Sequence, residues 1–351
     1  AEQLTLGRLG AKDLARLLED AFHSERLATE LGHQIAVKSD GNPFFAFEII
    51  RGFREGRFIT RRPDGTWVTT QVIQDIQVPS SIVDMVQARL GDLSEEEREL
   101  LDVAACFGFE FVPGLVGAVL GLDRIPTLRA LGRVEREHRL IRSAGRHYVF
   151  DHHQVQESLY AGLHDELREA YHAAIGIALE RRAGAEEADP EGLDGALCVQ
   201  LCEHFLAGGR GKEALRYLRP AAQHLEKGFL FAEGAALVGR ALDMPRLLQG
   251  KARFPWLVLQ NRLVHPLGRR VTQRALLDEA RAIAESGIEA ELEGPLEAAL
   301  GALAWSEGDF ERAVGHHERS LALARQTGSE EAESVLAVQL GHDFHRLGRQ
   351  E

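Results

Sequence analysis

The sequence predicts a mainly α protein, with helices and two small β-hairpins in the first half and an α-solenoid of helix pairs in the second. Three observations predict it. Apolar residues recur every three or four positions along most of the chain, the spacing that gathers them on one face of a helix. Two short β-prone stretches flank Pro63-Asp64-Gly65 and Ser143-Ala144-Gly145-Arg146, which supply the turn chemistry of hairpins. Gly268, Gly308 and Gly348 stand 40 residues apart, each closing a helical segment, as in a repeat whose unit is a pair of helices.

Composition sets the outer bounds. A chain of 351 residues exceeds what one compact core usually serves, so two or three domains are expected. A formal net charge of −13 disfavours generic binding to polyanions, because neutralising phosphates drives that affinity. Cys106, Cys198 and Cys202 are an odd number and too few for a disulfide scaffold. No apolar run is long enough to span a membrane, and Ala1-Glu2-Gln3 has neither the basic head nor the apolar stretch of an export signal. The cytoplasm is the expected compartment.

Residues 1–56 read as a helical region. Leu14, Leu17, Leu18 and Phe22 form one helical face after Lys12-Asp13, and a second amphipathic helix covers 24–37. Ser39-Asp40-Gly41-Asn42 breaks the pattern. Pro43 then begins a third helix carrying Phe44, Phe45, Phe47, Ile49, Ile50 and Phe53, a position that suits proline because the first-turn N–H has no helical partner.

Residues 57–150 combine strands and helices. Phe58-Ile59-Thr60 and Thr66-Trp67-Val68-Thr69 form the first hairpin. A helix opening at Val78-Pro79-Ser80-Ser81 carries Ile82, Met85, Val86 and Leu90. The next begins at a capping box, Ser94 with Glu97 three positions on, and includes Leu100, Leu101 and Ala104. A third helix covers 125–140, and Leu140-Ile141-Arg142 with Tyr148-Val149-Phe150 makes the second hairpin. Three helices followed by a two-stranded wing is a winged-helix arrangement. Arginines outnumber acids on the third helix but are spread around it, and basic residues near a helix C-terminus are favourable without any nucleic acid.

Residues 151–194 read as connecting helices followed by an acidic linker at 184–192 that contains Pro190. The solenoid occupies 195–351. Its clearest unit runs from Ala302 through Trp305, Gly308 and Ala313 to Ala324; Ala304 and Ala313 allow two antiparallel helices to approach closely and Gly308 permits the turn. The stretch 244–256 fits the repeat poorly. Cys198 and Cys202 share a helix face while His204 points elsewhere, so no metal is expected there, and His316 and His317 read as structural or solvated.

No phosphate-binding loop is found. The nearest sequence, Gly208-Gly209-Arg210-Gly211-Lys212, places Glu213 where a hydroxyl is required and follows a helical pattern rather than a strand, so it reads as a turn between helices.

Leu6-Gly7-Arg8-Leu9, two helices and then Gly41-Asn42-Pro43-Phe44-Phe45 resemble the helical lid of STAND-type signalling ATPases of the AAA+ superfamily. The downstream order of hairpin, Val-Pro-Ser helix, Ser-x-x-Glu helix and wing continues the resemblance, and the 40-residue units resemble tetratricopeptide repeats. The resemblance implies that Pro43 packs on an adenine ring, with Gly41 and Asn42 in the same turn. Phe150-Asp151-His152 resembles the winged-helix sensor, which implies that His152 contacts a β-phosphate of ADP. His153 has no matching role, and no ligand set around the two histidines has metal spacing.

The leading expectation is therefore the regulatory and sensor part of a nucleotide-switched ATPase, cut at both ends. It implies ATP or ADP in the intact protein, with magnesium supplied by a core outside this chain, and no tight nucleotide binding or hydrolysis by this chain alone. A protein or small-molecule ligand on the repeats, the ATPase core and oligomerisation on activation are the implied partners; an output kinase or cyclase is an open possibility. Two alternatives stand beside it: a winged-helix DNA-binding regulator, and a repeat scaffold that works without nucleotide.

Overall fold

The structure of the chain, a computed structural model, describes residues 9, 11–22, 24–25, 27–28, 31–32, 35, 39, 42, 46–47, 49–51, 59–63, 67–69, 87, 89–285, 287 and 290–348. It is mainly helical, with small antiparallel sheets, and divides into two compact units, Ala1–His164 and Asp165–Glu351. The acidic stretch 184–192 lies inside the second unit.

In the first unit, α1 (Ala11–Phe22) buries Leu14 and Leu18, which pack with Leu27, Leu31, Ile35, Ala46 and Ile49. Strands β1 (Ile59–Arg61) and β2 (Trp67–Thr69) pair antiparallel, with Ile59 opposite Thr69. Ile59 is buried in the same core and Trp67 packs against it, so the hairpin completes the apolar cluster that the preceding helices begin. The expected helix opening at Val78 lies largely outside the described residues; Gln87, Arg89 and Leu90 are helical.

Helix α2 (Glu95–Phe107) starts as the sequence requires. Ser94 Oγ accepts from Glu97 N–H and the Glu97 carboxylate accepts from Ser94 N–H, closing a reciprocal capping box. The chain then makes two elements absent from the sequence reading, β3 (Glu110–Phe111) and α3 (Pro113–Val119). The third expected helix is shorter than 125–140. It runs as α4 (Arg124–Arg133), passes into a π-helical turn at Val134–His138, and stops at Arg139 with φ 52°.

Strands β4 (Ile141–Ala144) and β5 (His147–Phe150) form the second hairpin, and β5 lies between β3 and β4 in a three-stranded sheet. Phe111 and Phe150 are buried from this sheet and their rings meet at 5.4 Å between centroids. Helix α5 (His153–Ala161) closes the unit, burying Val155 and Leu159; Gln156 Nε2 donates to Ala105 O and ties it to α2.

The second unit is a helical solenoid: α6 (Asp165–Ala183), α7 (Gly195–Ala207), α8 (Gly211–Lys227), α9 (Phe231–Asp243), α10 (Phe254–Val264), α11 (Arg270–Glu285), α12 (Ala290–Glu307), α13 (Phe310–Thr327) and α14 (Glu330–Arg346). Each helix packs chiefly on the next. Gly268, Gly308 and Gly348 all have positive φ, and so do Gly287 and Gly328 between them. Turn glycines thus recur about every 20 residues, and the 40-residue spacing catches every second one. The acidic stretch is ordered by Arg216, whose guanidinium donates to Glu186 O and Ala188 O, and Tyr217 donates to Glu180 and Ala185 O beneath it. The poorly fitting stretch near 244–256 is a turn with a short 3₁₀ segment, Gly250–Ala252, before α10.

Candidate nucleotide-sensing site

Gly41 and Pro43 lie outside the described residues. Asn42 is described and exposed: its N–H donates to Ser39 O at 2.9 Å, and its carbonyl accepts from Ala46 N at 3.0 Å. Its carbonyl thus takes a helix-type bond from the residue four positions on, where the residues at 46–47 and 49–51 are helical. Arg51, at the far end of that stretch, meets Asp151 with 3.7 Å between Nη1 and Oδ2. This ion pair joins the segment after Asn42 to the residue immediately before His152.

His152 is fixed from three directions. Phe150 N–H donates to Phe109 O and Asp151 N–H donates to Leu140 O, so the strand is held until one residue before it. At φ −150° and ψ 149° its backbone is extended, which turns the chain out of β5 and into α5. Its Nδ1 accepts from Gln154 N–H at 3.1 Å, acting as the side-chain N-cap. An Nδ1 that accepts carries no proton, so the neutral ring holds its hydrogen on Nε2.

The surroundings favour that neutral ring. Burial pushes the His152 pKa down and neighbouring His153 adds to the shift, against the opposing carboxylates of Asp151 and Glu157. His153 is exposed and stacks on Phe109 at 4.0 Å between ring centroids, a different task from its neighbour's. The result is a half-buried imidazole with Nε2–H as donor at the start of a helix, where backbone N–H groups also favour negative charge.

The other candidates resolve into structural roles. Gly208 to Arg210 is the turn from α7 to α8 and Gly211 and Lys212 open α8, with Gly209 at φ 68° and Arg210 donating to Glu213 at 2.8 and 2.6 Å. His204 turns from both cysteines and meets His172 of α6, Nδ1 to Nδ1 at 2.9 Å. Burial drives both pKa values down, His172 to about 4 with help from Arg168 and Arg240, and His204 to about 3 with help from His172. Among the described residues no group of three or more His, Cys, Asp or Glu side chains could hold a metal ion.

His316 and His317 are both buried rather than solvated. His317 Nδ1 lies 2.5 Å from Asp343 Oδ2 of α14, and His316 Nδ1 lies 2.8 Å from Glu297 of α12, which Arg319 also binds. Sequence spacing could not find these pairs because the partners sit on successive helices. One signal was available: a glycine in mid-helix at Gly301, where an added Cβ would meet the His317 ring at 2.4 Å.

The fold and the site together define a mainly helical protein in which a small α/β unit with a capped histidine precedes a helical-repeat solenoid. No family model matches the chain, and no curated protein does. A solved structure similar to it is a Signal Transduction ATPase with Numerous Domains (STAND) protein with a tetratricopeptide repeat sensor from Pyrococcus horikoshii. The identity is 12% and the TM-score 0.37, over 98% of this chain and 52% of that one. The chain therefore spans about half the length of that protein, and at this distance no residue role is carried across. Among the described residues, no helix is long and apolar enough to cross a membrane.

Proposed function

We propose that this chain is the regulatory and sensor part of a nucleotide-switched signal-transduction ATPase. The three helices and the β3-β5-β4 sheet are read as a winged helix whose His152 senses ADP, and the solenoid as the surface that binds a protein or small-molecule ligand. The observation that carries the reading is the Nδ1 cap of His152, because it puts the proton of the neutral ring on Nε2, at a helix start where negative charge is favoured. Asn42, with Gly41 and Pro43, is read as the turn that faces the adenine, and the Arg51–Asp151 pair as the strut between the two halves.

Phosphate gripping, magnesium binding and any hydrolysis are assigned to residues outside this chain, so the chain alone binds ADP weakly or not at all. In the intact protein, ADP held between the Asn42 turn and His152 stabilises a closed state. A ligand with higher affinity for the open state shifts the population by the ratio of its two affinities.

The test is ADP retention by the protein together with its ATPase core, comparing wild type with His152→Ala and His152→Asn. Asparagine keeps a side-chain acceptor for the helix cap but loses the imidazole donor. Both variants are expected to release ADP at least about tenfold faster, the loss of roughly one charge-assisted hydrogen bond. Unchanged ADP retention and basal signalling in both variants would remove His152 from the switch.

A further inference from the structure

Helix α4 carries apolar side chains that its own core does not use. It buries Thr127, Ala130 and Leu131, followed by Val134 in the π-turn, the spacing of one inward face. That face is pressed close to α3, since a Cβ on Gly117 would come within 2.5 Å of Thr127 Oγ1. Rotation of α4 is therefore blocked. Ile125 and Leu128, one turn apart on the opposite side, are 63% and 37% exposed, and Leu122 in the preceding turn is 44% exposed.

Charge frames this apolar strip. Between residues 124 and 146 the chain has seven arginines and two glutamates, within a molecule of formal net charge −13. Arg124, Arg129 and Arg136 are exposed and make no ion pair among the described residues. Arg129 follows Ile125 by one turn. The Arg136 guanidinium reaches back along the helix to lie 3.2 Å from where a Cβ on Gly132 would stand, so Ile125, Leu128, Arg129, Gly132 and Arg136 form one continuous stripe.

The stripe sits on a rigid base. Arg89 donates to His138 O at 2.6 Å and Arg139 O at 2.9 Å, Glu97 pairs with Arg133, and Glu135 accepts from Ser143 N–H at 2.6 Å. The π-turn that ends α4 is thus tied to the capping box of α2 and to β4.

We infer that this face of α4 docks an acidic amphipathic helix of a partner protein, leucine-like side chains meeting Ile125 and Leu128 and flanking carboxylates meeting Arg124, Arg129 and Arg136. Protein interfaces have an apolar core and are enriched in arginine relative to the rest of the surface. A helix that reads duplex DNA would instead present hydrogen-bonding side chains to the base edges where Ile125 and Leu128 stand. The inference is independent of nucleotide and of the role given to His152.

The test uses the full 351-residue chain and fluorescence anisotropy with four labelled probes. They are a helical peptide with leucines at i, i+3, i+4 and i+7 between glutamates, the same peptide with lysines for glutamates, the glutamate peptide with serines for leucines, and a mixed-sequence duplex DNA. The first probe is expected to bind tightest. Ile125→Ser with Leu128→Ser, and Arg129→Glu with Arg136→Glu, are each expected to weaken it about tenfold or more, while Val271→Ser, at an exposed valine of α11, leaves it unchanged.

All the altered side chains are exposed, so the thermal midpoint should hold; if a double variant lost it, Leu128→Gln and Arg129→Gln alone would carry the comparison. Equal binding of the lysine or serine peptide, indifference to the variants, or tighter binding of the duplex would each overturn the inference.

Discussion

Gly301→Ala offers a test in which two ordinary expectations have opposite sign. In an exposed helix interior, alanine for glycine stabilises by about 1 kcal/mol through backbone entropy. At Gly301, however, the new Cβ would lie 2.4 Å from Cδ2 and Nε2 of His317. The ring cannot withdraw freely: His317 is 1% exposed and its Nδ1 is held at 2.5 Å by Asp343, which is fully buried. Overpacking of this kind costs about 1–3 kcal/mol, and any lengthening of the buried His317–Asp343 hydrogen bond adds to it. The expected net effect is a destabilisation of about 1 kcal/mol, a midrange overpacking cost of about 2 less the helix gain of about 1. Gly341→Ala on α14, where a Cβ meets nothing within 4 Å, is the control and should stabilise by about 1 kcal/mol. Urea denaturation followed by far-UV circular dichroism measures both. The double variant Gly301→Ala with His317→Ala completes a cycle, and in the His317→Ala background the Gly301→Ala step should become stabilising. If Gly301→Ala alone matched Gly341→Ala, the close packing of His317 against α12 would be refuted.

Two more perturbations follow from positions already described. The His172–His204 pair is neutral in the folded protein down to pH about 4 and about 3, whereas unfolded histidine takes a proton near 6.5. The unfolded state then binds more protons, so the pair's contribution is full above pH 6.5 and is lost as pH falls through the folded values. The thermal midpoint of wild type should drop between pH 6.5 and 4 more steeply than that of His172→Phe/His204→Leu. Equal slopes would show that the pair is not linked to folding. Phe229 adopts φ 58° and is 80% exposed in the turn before α9. Phe229→Gly should raise stability by about 1 kcal/mol by relieving the left-handed backbone, and a loss of stability in the same denaturation assay would contradict this.

What the sequence made legible was local. The Ser94–Glu97 capping box, the hairpin turn at Gly145-Arg146 and the helix turns at Gly268, Gly308 and Gly348 depend on residues within a few positions of one another, and each formed within the stretch read for it. Strand β3 escaped because two residues carry no period; it exists only through pairing Glu110 with Val149 and Phe111 with Tyr148. The third helix was read too long because the π-turn is fixed by Arg89 and Glu135, whose bonds to His138, Arg139 and Ser143 no helical periodicity encodes. At the candidate site, spacing singled out His152 but not its Nδ1 cap on Gln154, which depends on the backbone angles at the end of β5. The His172–His204 pair joins residues 32 positions apart, Gly301 meets His317 16 positions on, and His316 and His317 lie 19 and 26 positions from their acidic partners, each across neighbouring helices. Gly41 and Pro43 fall outside the described residues.

The two buried histidine–carboxylate contacts between α12, α13 and α14 bear on how successive helix pairs are registered. Helices packed only through alanine and leucine can slip past one another by a turn, about 5.4 Å, and recover most of their apolar contacts. A slip of α14 against α13 would carry Asp343 away from His317 and leave a carboxylate in a dry interface, and a slip of α12 would strip Glu297 from His316 and Arg319. These contacts act as a ratchet pawl, fixing the axial setting of each helix pair on the next and with it the spacing at which side chains are presented along the solenoid.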